Sequence, residues 1–301
     1  MINAATTVLV TGASSGIGRV TAKYLQEAGY RVFGTSRNPT QSHQEGFPLI
    51  QLDITDAESV ERCIQYVLDT VGSIDVLVNN AGVDMVGAFE ENTLEDGRWV
   101  FETNFFGTAN MIRTVLPYMR AQGQGRIINI TSALGVAAFP FESYYCSSKY
   151  AIEGLTESIR YELSLFPNIH ICTVQPGFFQ SEMVNRQREP AQTLAAYAPI
   201  RQNAVAYGKK FSHESPDPLP VAKTIERIIR TKTPKRSYPV GIEAHLAPPL
   251  AHALPESWIM KAGRWLLGVD DWRKDMQTFG VKAGGVGLLG LIIYRIFKRN
   301  R

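Results

Sequence analysis

The chain holds 301 residues, enough to bury a full core, and its 45% hydrophobic and 20% charged residues exclude a disordered scaffold. The formal net charge of +3 is uneven: residues 273–301 carry +6 and residues 1–272 carry −3, which excludes a nucleic-acid-binding body with a concentrated basic face. Three cysteines (Cys63, Cys146, Cys172) without a CxxC pair exclude a disulfide framework or zinc module, and with no secretory signal at Met1–Thr7 they predict a reducing, cytoplasmic setting.

In chain order, a strand at Thr7–Val10 leads into a helix over Gly16–Ala28, followed by strands at Arg31–Thr35 and Leu49–Asp53. A helix at Ala57–Val71, a strand at Val76–Asn79, a helix at Gly107–Ala121 and a strand at Arg126–Ile130 come next. The series closes with a helix at Ser143–Phe166, a strand at Ile169–Val174, a helix at Pro220–Thr231 and a weaker strand at Ser237–Val240. Short β-branched runs alternating with helical periods predict an α/β fold, a doubly wound parallel sheet with helices on both faces. The polar stretch from about 180 to 218 carries four prolines and is expected to be a lid or binding element. After Pro248-Pro249, the amphipathic stretch Trp258–Leu267 gives this single domain, residues 1–272, a helical C-terminal extension, and residues 273–301 form a basic, glycine-rich apolar tail.

The first strand runs directly into Gly12-Ala-Ser14-Ser15-Gly16-Ile17-Gly18 and a helical pattern. Glycines there permit a tight reversal and close backbone approach, and the helix start offers N–H groups and a positive dipole end to a pyrophosphate. After the second strand, Gly34-Thr35-Ser36-Arg37 has no carboxylate for a ribose 2′-hydroxyl. Arg37, with Ser36 or Arg19, suits the 2′-phosphate of NADP(H) instead.

Further strand ends carry Asp53-Ile54, Asn79-Asn80-Ala81-Gly82, Asn104 in Thr-Asn-Phe-Phe-Gly, Ser132 in Asn-Ile-Thr-Ser, Tyr145-Cys-Ser-Ser-Lys149 and Pro176-Gly177. The ordered set, from Val8 to about Gly268, resembles the classical short-chain dehydrogenases/reductases, and Tyr145 to Gly154 resembles their hydroxysteroid and retinol dehydrogenase branch. The resemblance implies a Rossmann fold, an NADP(H)-dependent carbonyl–alcohol interconversion, and Asn104, Ser132, Tyr145 and Lys149 as the catalytic set. Asp53 and Ile54 would meet adenine, Asn80, Ala81 and Gly82 would line the cofactor cleft with Pro176 and Gly177 nearby, and Lys149 would bind the nicotinamide ribose beside Tyr145. Asn104 would hold a water linking Lys149 to solvent; the alternative that it bridges helix backbone stays open.

The Tyr145–Lys149 chemistry also follows from spacing. Residues four apart share a helix face, so the ammonium is expected beside the phenol, lowering its pKa toward the working range. Ser132 is expected to hydrogen-bond the substrate oxygen. Cys146 is assigned to packing, and the five histidines show no metal-ligand spacing, so no metal is expected.

Around the substrate, Val83–Met85, Ala133–Val136, Phe139–Phe141, Tyr144 and Phe178-Phe179 are expected, with Glu142 as the sole charge. Such an apolar pocket suits a steroid, retinoid or long-chain lipid. The alternative function is a membrane-attached cofactor-binding or interaction protein with little turnover. The tail run Ala283–Tyr294 has twelve residues and would reach about 18 Å as a helix, short of a bilayer's ~30 Å. With Trp258, Trp265 and Trp272 it either attaches peripherally to a membrane surface or packs on protein. A homo-oligomer is expected.

Overall fold

Val8, Leu9 and Val10 are fully buried, as a strand covered on both faces requires. The computed structural model describes residues 6–39 and 46–267, and in it seven strands pair in parallel. They are β1 (Thr7–Val10), β2 (Arg31–Ser36), β3 (Leu49–Gln51), β4 (Val76–Asn79), β5 (Gly125–Ile130), β6 (Ile169–Pro176) and β7 (Ser237–Val240), in the order β3-β2-β1-β4-β5-β6-β7. The order reverses between β1 and β4, which opens a crevice at their carboxyl ends, where ligands of doubly wound sheets bind.

Two apolar layers hold the sheet. On one face, Ala22 and Leu25 of α1 (Gly16–Glu27) and Val221, Ile225 and Ile228 of α7 (Leu219–Arg230) pack over Val8, Val10 and Ile128. On the other, Val60 and Ile64 of α2 (Ala57–Val71) and Met111 and Val115 of α4 (Thr108–Gln122) cover Leu9, Leu77 and Ile127. Each large aliphatic side chain so buried contributes about 1.5–3 kcal/mol. Cys63, Cys146 and Cys172 are all buried; burial pushes Cys63 and Cys172 up to about 12 and Cys146 to about 11, so they act as packing groups.

Several expected boundaries change. The helix expected at Gly107–Ala121 begins earlier, as α3 (Leu94–Phe101), then a π-helical turn over Glu102–Gly107, then α4. Thr93 and Asp96 cap α3 reciprocally, each side chain bonding the other's backbone N–H. The helix α5 (Ser143–Glu162) stops short of Phe166 and ends in a 3-10 turn over Leu163–Leu165. Strand β3 stops at Gln51, before Asp53 Oδ1 accepts from Thr55 N and Oγ1 and turns the chain. The polar segment at 180–218 contains a helix, α6 (Ala198–Glu214), with Pro199 in its first turn, where no N–H is needed. Pro248 and Pro249 lie inside α8 (Ile242–Ala253), and α9 (Glu256–Leu266) covers the expected amphipathic stretch.

Among the described residues, no helix is long and apolar enough to cross a membrane, and no cluster of His, Cys, Asp and Glu could hold a metal ion. The tail at 273–301, its run Ala283–Tyr294 and Trp272 lie outside the described residues.

Candidate active site

At the crevice, Gly12 adopts φ +66°, and a Cβ there would lie 2.9 Å from Ala81 Cα. A Cβ on Gly18 would lie 2.3 Å from the Gly12 carbonyl oxygen, so α1 can approach the turn only through a glycine. Ser15, the extended N-cap of α1, makes no side-chain cap, and no acidic residue occupies the first turn. The helix therefore presents its first N–H groups, which have no intrahelical acceptor, and its positive dipole end to a cleft of about 980 Å³.

Ser14, Ser15, Gly16 and Ile17 line that cleft at the turn, Ser36 and the exposed Arg37 at its rim beyond β2, and Asp53, Ile54, Asn80, Ala81 and Gly82 after β3 and β4. Ser36 Oγ accepts from Asn38 N at 3.3 Å. The Asn80 amide has a structural task as well: its Nδ2 donates to Thr11 O at 2.9 Å and Gly12 O at 3.1 Å. Thr11 Oγ1 in turn accepts from Asn80 N and Ala81 N at 2.9 and 3.0 Å, so the turn and the end of β4 are tied together. A glycine cradle, a helix start and a cationic rim fit a phosphorylated dinucleotide. Pro176 and Gly177 line a second, apolar cavity with Ser132, Tyr145 and Lys149, which meets the cleft at Ile17, Asn80 and Asp84.

Ser132 follows β5 as the cap of a 3-10 turn, its Oγ accepting from Leu134 N at 3.1 Å and hydrogen-bonded with the Tyr145 hydroxyl. Tyr145 and Lys149 are buried one turn apart on α5. Lys149 Nζ donates to Ile130 O at 3.1 Å and is drawn down to about 8, chiefly by burial, against the charges of Asp84 and Glu153. The expected lowering of the Tyr145 pKa is overturned. Burial raises it first, the carboxyl groups of Asp84 and Glu142 raise it further, and the Ser132 hydrogen bond pulls the other way without prevailing.

Asn104 lies in the π-helical turn with its side chain committed. Oδ1 accepts from Val83 N at 2.8 Å, while Nδ2 donates to Val83 O at 2.9 Å and to Ser148 Oγ at 3.0 Å. The side chain thus joins the loop after β4 to α5 through Val83 and Ser148. Ser148 Oγ donates to Tyr145 O at 2.7 Å, which carries the brace to the turn bearing the tyrosine. Behind the site, the Glu153 carboxylate accepts from Thr131 Oγ1 at 2.6 Å, Thr173 Oγ1 at 3.1 Å and Gln175 Nε2 at 3.0 Å, clamping β5 to β6. Ser148 and Glu153 went unnoticed in the sequence, yet they stand three residues beyond Tyr145 and four beyond Lys149, the spacing of a shared helix face.

The second cavity measures about 730 Å³ and runs from Ser132 and Tyr145 past Phe139 and Phe179 to Leu250 of α8 and Ile259 of α9. Several expectations about it change: Val83, Met85, Gly135, Val136 and Tyr144 do not line it. Tyr144 packs on Gly97 of α3, its ring centroid 5.6 Å from that of Phe89. Glu142 is not the sole charge, because Asp84 stands beside it, and burial and that neighbour hold the Glu142 carboxyl well above the usual carboxylate range. The segment at 180–218 is tied to the rest of the domain through Glu91, whose side chain is fully buried, pairs with Arg201 of α6 and accepts from Leu194 N at 2.8 Å.

The chain matches the short chain dehydrogenase family over residues 6–192. It is 36% identical over 236 residues to a 3-ketodihydrosphingosine reductase of Bacteroides thetaiotaomicron, covering 78% of this chain and 87% of that protein. It is 33% identical over 256 residues to retinol dehydrogenase 8 of Bos taurus, covering 78% and 81%. Among solved structures, ElxO with NADP bound is similar with a TM-score of 0.65 and 27% identity, over 78% of this chain and 96% of that one.

Proposed function

The chain belongs to the short-chain dehydrogenase family, oxidoreductases acting on carbonyl and alcohol groups, and we propose that it is an NADP(H)-dependent reductase of long, lipid-like carbonyl compounds with Tyr145 as general acid and base. The observation that carries this reading is the apolar cavity of about 730 Å³ whose polar end holds Tyr145 and Ser132. A sphingoid ketone or a retinoid, the compounds in the relatives' names, suits such a space. NADP(H) is supported by the exposed Arg37 at the rim beyond β2, and by the NADP carried by a similar structure.

Bound NADPH would supply the hydride, held by the Gly12–Gly18 turn with Arg37 at its 2′-phosphate. Tyr145, kept neutral by burial, holds the proton at its hydroxyl and gives it to the substrate oxygen as negative charge develops there. Ser132 steadies the same oxygen with a second hydroxyl. Lys149, with a pKa near 8, exchanges protons near neutrality and stands one turn from the phenol. Asn104 and Ser148 hold that turn in place, and the apolar walls keep water from the reacting carbon.

The experiment is Tyr145→Phe assayed by NADPH consumption with long-chain ketones and retinal. Turnover should fall by about 10²–10⁴-fold while NADPH binding, read by nucleotide fluorescence, persists. A variant within a few-fold of wild type would refute the role of Tyr145.

A further inference from the structure

The reacting end of the apolar cavity holds two carboxyl groups that the hydride transfer does not use. Asp84, on the loop after β4 and 7% exposed, accepts from Met85 N at 2.7 Å and from Gln187 Nε2. Its backbone oxygen accepts from Arg188 N at 3.1 Å, so both ends of the residue are fixed. Glu142 immediately precedes α5, three residues before Tyr145. Its Oε2 is buried and receives no donor, and its neighbour is the Asp84 carboxylate. Both residues line the cavity with Tyr145.

The backbone adopts an unfavourable shape to put Glu142 there. Phe141 has φ +68°, a left-handed conformation that a bulky residue rarely adopts, and the strain is held by Gly87 N donating to Phe141 O at 2.8 Å. Burial and the neighbouring Asp84 carboxyl raise the Glu142 pKa, and an oxygen left without a donor in an apolar wall is destabilising. Neither feature helps packing, where an amide or a methyl-bearing side chain would serve better. A ketone or ether oxygen has nothing to donate to this pair, and a lone hydroxyl has one hydrogen. A primary ammonium has three donors and a charge that matches.

We propose that the Glu142–Asp84 carboxyl pair is a binding subsite for a primary ammonium carried within a bond or two of the reacting carbonyl, so that the preferred substrate is a long-chain amino ketone. This rests on the reductase reading above and narrows it. On binding, the ammonium stands between the two carboxyl groups, and the proton of the Glu142 carboxyl leaves to solvent.

The test compares three ketones of equal chain length with NADPH: one with a free amine beside the carbonyl, one lacking it, and the N-acetylated amine. The free amine should raise kcat/KM by about 10- to 100-fold over both others, the range of one or two charge-assisted hydrogen bonds. In Glu142→Gln and Asp84→Asn the ratio between the ketones should fall toward one. A merely structural role would depress all three substrates alike and leave the ratio intact. As a check that needs no variant, dodecylamine should inhibit wild type competitively with the ketone at concentrations where dodecanol does not. Equal use of the three ketones by wild type, or a ratio unmoved by both substitutions, overturns the subsite while the reductase reading stands. Reduction of no ketone at all overturns both.

Discussion

Lys149 Nζ lies 5.6 Å from the centre of the Tyr145 ring and donates to the Ile130 carbonyl at 3.1 Å. Its pKa, about 8, is below the 10.5 of a free lysine. Between those values the unfolded chain binds a proton that the folded chain has lost, so stability contributed at this position rises with pH across the window. Lys149→Met removes that rise. Urea melts at pH 7 and 9.5 should show wild type gaining about 1–2 kcal/mol relative to the variant. A difference that does not change with pH would contradict the assignment.

Arg37→Ala tests the choice of nucleotide. Removing one charge-assisted contact of roughly 1.5–3 kcal/mol should weaken NADPH binding by about one to two orders of magnitude and leave NADH nearly unchanged. Equal losses for both nucleotides would mean that Arg37 supports the fold.

The Glu91–Arg201 pair tests how the 180–218 segment is held. Burial alone would raise the Glu91 pKa, but hydrogen bonds from Leu194 N, Arg201 and Ala88 N outweigh it and hold the carboxyl below its ordinary range. Docking by Glu91 is therefore present at neutral pH and lost as pH falls through that depressed value. Glu91→Gln should speed hydrogen exchange in α6 by about ten-fold or more at pH 7, with little change in the α2 amides. Unchanged α6 exchange would show that the pair does not anchor the segment.

Two glycines should respond in opposite directions. Gly18→Ala drives a Cβ into Gly12 O and Asn80 Nδ2, at 2.3 and 2.4 Å, and should cost about 1–3 kcal/mol in thermal melts. Gly154→Ala, exposed within α5 with no atom within 4 Å of the new carbon, should gain about 0.5–1 kcal/mol.

What could be read in the sequence was what depends on neighbours along the chain. The strands follow from β-branched runs such as Val76–Asn79, and Tyr145 and Lys149 from helical spacing. Helix α8 was missed because Pro248 and Pro249 signal a break, whereas the structure keeps them inside the helix, with Leu246 and Leu250 against the cavity. Helix α6 was missed because its stretch is polar and weakly periodic, and it is held instead by the distant Glu91. The effect of Asp84 on Tyr145 could not be read, since residues 61 positions apart meet only once the sheet is formed.

The π-helical turn at Glu102–Gly107 makes the rod from α3 to α4 a counting device. Such a turn spends one residue more than an α-helix would, and that surplus decides which way everything beyond it faces. Delete one residue inside the turn and it can close to a regular α-helix with both halves still in register, whereas a deletion elsewhere that closes the turn rotates by roughly 100° only the residues between the deletion and the turn. Asn104 would then leave Val83 and Ser148, or Met111 and Val115 would leave the sheet. A deletion scan along 94–122 should therefore be position-dependent, costing the Asn104 brace when it falls inside the turn and the Met111 and Val115 packing when it falls well beyond them along α4.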